Sequence, residues 1–165
     1  LIFLPELLDS LEDIEPRRFS GVVFRHVLGD TAPLRANTRG ARWNPPDVSA
    51  LYTSLERKTA IAEGDFLISL QPIRPSVTRW IAQIQITLQR VIEIDEVTLQ
   101  KLGISREALE ALDHAPCREI GGAVNWLGFE GLIVPSARSN GQNLVIYIGH
   151  QDPAGLFEVI GKEPL

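Results

Sequence analysis

Hydrophobic and polar positions change period several times along the chain, and each change marks an element. The β-branched run Val22 to Val27, entered from Gly21, predicts a buried strand carrying Arg25 and His26 near its end. Residues 28 to 50, punctuated by Gly29, Pro33, Gly40, Pro45 and Pro46, show no period and predict a long irregular connection. A connection of that length in a compact domain is more often functional than not. Leu51 to Ser54 reads as a short strand whose period of two sends Tyr52 and Ser54 to one face, Leu51 and Thr53 to the other. From about Leu55 the stripe Leu55, Thr59, Ala62, Phe66, Leu70 keeps helical spacing, with Glu63 at its border. The alternating run WIAQIQITL, Trp80 to Leu88, and then Val91 to Ile94 predict two strands, paired antiparallel with one wet face. Helices are expected at about 96 to 102, 105 to 113 with Ser105 as N-cap, and 117 to 127. The sequence then returns to strand in GLIVPS, NLVIYI and LFEVI. Elements in no regular alternation, without repeats, give an α+β fold.

Composition narrows the class. A chain of 165 residues with 44% hydrophobic content fits one globular domain, long enough to bury roughly 70% of the surface its unfolded form exposes. Its apolar runs stop well short of the roughly 20 residues a bilayer span requires. The opening LIFLPELLDSLEDIEP has no basic region before its apolar residues and soon turns acidic, so it does not read as a signal peptide, and a cytoplasmic location is expected. Cys117 is the only cysteine, and His26, His114 and His150 are scattered, so neither a disulfide framework nor a metal site is expected.

Charge is distributed unevenly. Between Arg17 and Arg42 six arginines face one acid, Asp30, whereas residues 1 to 16 carry five acids and no base; the whole protein has a net charge of −5. A local patch made only of arginine in an acidic protein suits a small anionic ligand, because guanidinium forks grip phosphate oxygens in pairs while the overall field repels a polyanion. Arg17, Arg18, Arg35 and Arg39 are expected to be solvated surface charges. A DNA-bound regulatory module without enzymatic activity is the alternative, and a pI near 5.2 with no basic helix face weighs against it.

The remaining polar residues suggest a reaction. Arg42 in GARWN supplies a cation for a pyrophosphate, Tyr52 in LYTS an aromatic face for a heterocycle, and Glu63 in AIAEGD a carboxylate for a developing positive charge. Those parts suit a dinucleotide such as NAD, whose nicotinamide–ribose bond breaks through an oxocarbenium-like transition state. Taken singly each has a plainer reading: Glu63 solvated or paired with Arg57 or Arg74, Tyr52 in the core, Trp43 capping the core beside its prolines.

The ordered series FRHV, GARWNPP, LYTS, AIAE, GLIVPSAR and QNLVIY closely resembles the RES domain family, toxins of bacterial toxin–antitoxin pairs, over about residues 22–160 of a single domain spanning 1–165. The resemblance implies a fold like that of ADP-ribosyltransferase toxins, with mixed or antiparallel sheets flanked by helices. It also implies a growth-arresting enzyme that consumes NAD by hydrolysis or phosphorolysis, or as the alternative transfers ADP-ribose to a protein target. Carried over by motif, the family's Arg, Tyr, Glu and Ser are Arg42, Tyr52, Glu63 and Ser136, and Arg25 matches the arginine ending the first strand. Arg42 and Arg25 would hold the phosphates, Tyr52 would stack on the nicotinamide, Glu63 would stabilise the cationic sugar, and Ser136 would orient Glu63 or NAD. Trp43, Asn44, Ser54 and Asn143 are the expected further lining, and His26 is expected to be a strand-end residue rather than a base. The family often has Gly soon after the proline pair where this sequence has Asp47. The implied partner is an Xre-type helix-turn-helix antitoxin that blocks the site, with operator DNA bound only through the complex and no membrane involved.

Overall fold

The three-dimensional structure, a computed structural model, describes residues 2–150 and 156–165. Helix α1 (Pro5–Glu12) leads into the long strand β1 (Arg17–Leu28), and the irregular connection then runs to β2 (Ala50–Ser54). Helix α2 (Arg57–Ser69) and strand β3 (Arg79–Glu93) follow, then three helices, α3 (Glu96–Lys101), α4 (Arg106–Glu110) and α5 (Ala115–Trp126). Strands β4 (Gly131–Pro135), β5 (Gln142–Tyr147) and β6 (Leu156–Pro164) complete the α+β order. Asp95 and Ser105 cap α3 and α4, their side-chain oxygens accepting from the amides of Thr98 and Ala108. Helix α1 was not visible as a periodic segment, yet its Leu11 is fully buried.

The strands lie in the order β1-β2-β5-β4-β3-β6, and β1 also pairs with β3, so five of them close into a ring with β6 added along β3. Closure depends on the length of β3, 15 residues. Its first part lies between β1 and β6, both antiparallel to it, and its last residues, Val91 to Glu93, pair in parallel with β4. The two strands expected here are therefore one. The polar pair Gln89 and Arg90 reads as a break, but both amides donate to the carboxylate of the buried Glu130, which takes the place of a strand partner where β3 passes a bulge opposite Arg17 and Phe19.

Alternation along the strands sorts the apolar side chains into two cores. Leu51, Ile84, Ile86, Leu88, Ile133, Leu144 and Ile146 point into the ring. Leu132, Val134, Val145 and Tyr147 point outward, where they meet Leu11, Leu99, Leu109, Ile120 and Val124 of the helices. Tyr52 joins that outer face, as the period of two requires.

Helix α2 does not follow its expected stripe. It buries Thr59, Ala60 and Gly64 against the sheet, whereas Phe66 is half-buried and Leu67 and Leu70 are exposed. Small residues face the sheet because the helix lies close to it: a Cβ at Gly64 would overlap the His26 ring. Among the described residues no helix is long and apolar enough to cross a membrane.

Candidate active site

A cleft of about 470 Å³ opens between the end of β1, strand β2, helix α2, the 29–49 connection and the turn after β4. That volume lies within the range of small-molecule sites. Its polar walls include Arg25, His26, Arg42, Tyr52, Ser54, Glu63, His114, Arg138 and Asn143, while Phe66, Leu67, Leu70 and Leu112 form an apolar side.

Glu63 is the one acid among the described residues lining the cleft. Ser136, fully buried in the turn after β4, donates its hydroxyl to Glu63 Oε1 at 2.7 Å. The same serine oxygen accepts from the amides of Arg138 at 3.0 Å and Ser139 at 3.2 Å, so it cannot rotate without releasing backbone donors. Ser136 itself is not part of the cleft wall; of its two expected roles, the geometry places it behind Glu63. Neither Arg57 nor Arg74 pairs with Glu63, and Arg57 instead meets Glu163 at 2.7 Å.

Positive charge faces this carboxylate. Arg42 donates Nη1 to the carbonyls of Leu109 and Ala111, and Arg138 donates Nη2 to the carbonyl of Glu110 at 3.0 Å. Three successive carbonyls at the end of α4 thus hold two guanidiniums in place, and Arg42 also hydrogen-bonds the Cys117 side chain. Arg25 donates to Pro33 O at 2.9 Å, which ties the irregular connection to β1, and burial lowers its pKa to about 10, still well above neutrality. Arg25, Arg42 and Arg138 form no ion pair among the described residues. Arg138 also sits over the Phe66 ring, its Cζ 3.4 Å from the ring centre.

The RES domain family profile matches residues 18–164 of this sequence. The chain belongs to the RES domain family. One protein in the crystal structure of the M. tuberculosis MbcT-MbcA toxin-antitoxin complex shares the fold, with a TM-score of 0.82 at 16% identity over 98% of this chain and 93% of that one. Among curated proteins none matches the sequence significantly.

Within this RES domain the motif residues divide between the cleft and its supports. The Tyr52 ring borders the cleft, but its hydroxyl is committed: it donates to Asn44 Oδ1 at 2.6 Å and accepts from the Trp43 amide at 2.9 Å. Burial raises its pKa, so the phenol stays protonated. Asn44 was expected to line the site; it is instead fully buried outside the cleft, where its amide group binds Asn37 and the carbonyl of Val48 and shapes the connection. Trp43 lines the cleft as expected, although its side chain, 2% exposed, packs mainly in the helix-side core. Its carbonyl accepts from Tyr147 at 2.9 Å and rests on Gly121, where a Cβ would overlap it. Two tyrosines and one glycine therefore fix the backbone on both sides of Trp43, next to Arg42.

Ser54 and Asn143 do line the cleft, joined to each other at 2.7 Å across β2 and β5. Asp47, where a family-type glycine was the expectation, has φ of +73°, the left-handed region where glycine is favoured. Two ionisable wall residues escaped sequence reasoning, Arg138 and His114. Arg138 stood within the GLIVPSAR motif, so the signal was present; His114 had none. Among the described residues no group of three His, Cys, Asp or Glu side chains is placed to hold a metal ion.

Proposed function

We propose that this RES domain is the NAD-cleaving toxin of a toxin–antitoxin pair. The observation that carries the reading is the arrangement of charge, a single fixed carboxylate, Glu63, in a cleft whose other charged walls are Arg25, Arg42 and Arg138. A dinucleotide needs that division. Its pyrophosphate takes the guanidinium forks, its nicotinamide lies on the Tyr52 ring, and the ribose beside it meets the free oxygen of Glu63. When the C1′–N bond breaks, nicotinamide departs with the bonding pair and the ribose becomes an oxocarbenium cation. A carboxylate held in a partly buried site stabilises that cation without having to reorganise. An acceptor oxygen then adds to C1′ and loses its proton.

Water or inorganic phosphate as acceptor degrades NAD; a protein nucleophile makes the same site a mono-ADP-ribosyltransferase. Incubation of the protein with NAD, with and without phosphate and cell extract, followed by mass analysis of the products, separates these outcomes. Glu63→Gln keeps the size and most of the hydrogen bonding but not the charge, and is expected to lower turnover by a factor of about 10² to 10³ with the fold intact. Near-normal turnover in folded Glu63→Gln removes Glu63 from the mechanism, and an absence of NAD products from the wild type under every condition removes the reading. The antitoxin in the MbcT-MbcA complex supports a proteinaceous inhibitor as the partner, here proposed to be an Xre-type protein that carries the operator-DNA contacts.

A further inference from the structure

The residue next to Glu63 is seated on a histidine. Gly64 lies against the flat of the His26 ring so closely that a Cβ would come within 2.8 Å of Nδ1 and nearer still to Cγ and Cδ2. His26 Nε2 accepts from Arg79 Nε at 3.0 Å. Because arginine only donates, Nε2 carries no proton here and the ring is neutral with its hydrogen on Nδ1. Arg79 in turn meets Asp65 at 2.7 Å, and Asp65 follows Gly64 on α2. Contacts thus run from α2 through Arg79 on β3 to His26 on β1 and back to α2, enclosing the segment Glu63 to Asp65.

We infer that His26 is a positioning residue for Glu63, its neutral ring fixing the height of α2 in the cleft, so that protonation of the ring displaces Glu63 and switches the site off in acid. The inference rests on the NAD-cleaving role of Glu63. Protonation places an N–H on Nε2 directly opposite the N–H of Arg79, turning a hydrogen bond into contact between two cations. The ring and the Arg79 head must part, and Gly64, in contact with the ring, has no side chain to take up the movement. The charged groups around His26 are Arg79 from β3, Asp65 from α2, and, across the shared cleft, Arg25 from its own strand and Glu63 from α2. Burial first and Arg79 second lower the His26 pKa, and Asp65 opposes them. The fold therefore favours the neutral ring, and the loss sets in only as pH falls below the ordinary histidine value of about 6.5.

The test compares wild type with His26→Gln, whose amide oxygen accepts from Arg79 but does not titrate. NAD cleavage is followed from pH 8 to pH 5, and the backbone amides of Glu63 and Gly64 are followed by NMR over the same range. The expected result is a fall in wild-type kcat of at least about tenfold as the ring protonates, with KM little changed, and a flat profile through that window for His26→Gln. The Glu63 and Gly64 amides are expected to titrate with the His26 ring in wild type and not in the variant. Persistence of the acid loss in His26→Gln, or a His26 titration that leaves both amides unmoved, overturns the inference. Should the wild type cleave no NAD at any pH, the enzymatic reading is what fails, and the NMR titration still decides the coupling; the same wild-type titration serves if His26→Gln does not fold.

Discussion

Ser136 carries three hydrogen bonds on one oxygen, one given to Glu63 and two taken from the Arg138 and Ser139 amides. Its removal should therefore register in both activity and stability. Ser136→Ala leaves two partly buried amides without this partner, at a cost of about 1–3 kcal/mol, and frees the Glu63 carboxylate to rotate. On the proposed role of Glu63, the expected result is a lower denaturant midpoint together with kcat reduced roughly tenfold to a hundredfold, KM changing less, because Ser136 holds that carboxylate and not the ligand. Denaturant titration and steady-state kinetics on the same preparation check both parts. Unchanged kcat in the folded variant would show that Glu63 does not need the serine. The family motifs made Arg42, Tyr52, Glu63 and Ser136 legible, but not the division between wall and support. Asn44 illustrates why: a short polar side chain in a loop looks the same in sequence whether it faces a ligand or, as here, ties the loop to itself.

At the scale of elements, the alternating strands were legible because a period of two survives wherever one side of a strand faces the ring and the other the helices. Two features were not. The join of Trp80–Leu88 to Val91–Glu93 depends on Glu130, about forty residues away, and nothing local announces that a carboxylate will satisfy the amides of Gln89 and Arg90. The buried face of α2 departs from its apolar stripe because close approach to β1 selects Ala60 and Gly64 and leaves Phe66, Leu67 and Leu70 to border the cleft. The connection between β1 and β2 was legible as irregular but not in shape, which rests on the left-handed Asp47 and its amide bond to Thr38 O at 3.2 Å. Asp47→Val places a β-branched residue where φ is positive and is expected to destabilise by about 1–2 kcal/mol, whereas Asp47→Gly is tolerated. Thermal unfolding of the pair checks this, and equal stability of the valine and glycine forms would contradict the turn geometry.

At the scale of the whole molecule, the arginine-rich segment resolves into two classes: Arg17 is exposed and paired with Glu93 at 2.9 Å, while Arg25 and Arg42 line the cleft with no ion pair among the described residues. An acidic protein of net charge −5 that sets three half-buried arginines, Arg25, Arg42 and Arg138, around one concavity offers an inhibitor an obvious anchor there. On the toxin reading, the partner must exclude NAD, and a side-chain or terminal carboxylate entering the cleft does so by taking the same forks as the pyrophosphate. Inhibition and substrate binding then share a residue, and one substitution should weaken both. Arg42→Ala is expected to weaken NAD binding and the antitoxin complex each by roughly tenfold to a hundredfold, with Arg18→Ala, an exposed arginine at the start of β1, as the control. Expression of the wild-type protein alone should arrest bacterial growth and lower cellular NAD, and the antitoxin should relieve both. Calorimetry on the purified complex, circular dichroism to verify the variant fold, and NAD measurement in expressing cells cover these points. An inhibitor that docks elsewhere and acts by distortion leaves complex affinity unchanged in Arg42→Ala while NAD binding falls. Unimpaired growth at undiminished NAD, with folded wild-type protein present and no antitoxin, counts against the toxin itself.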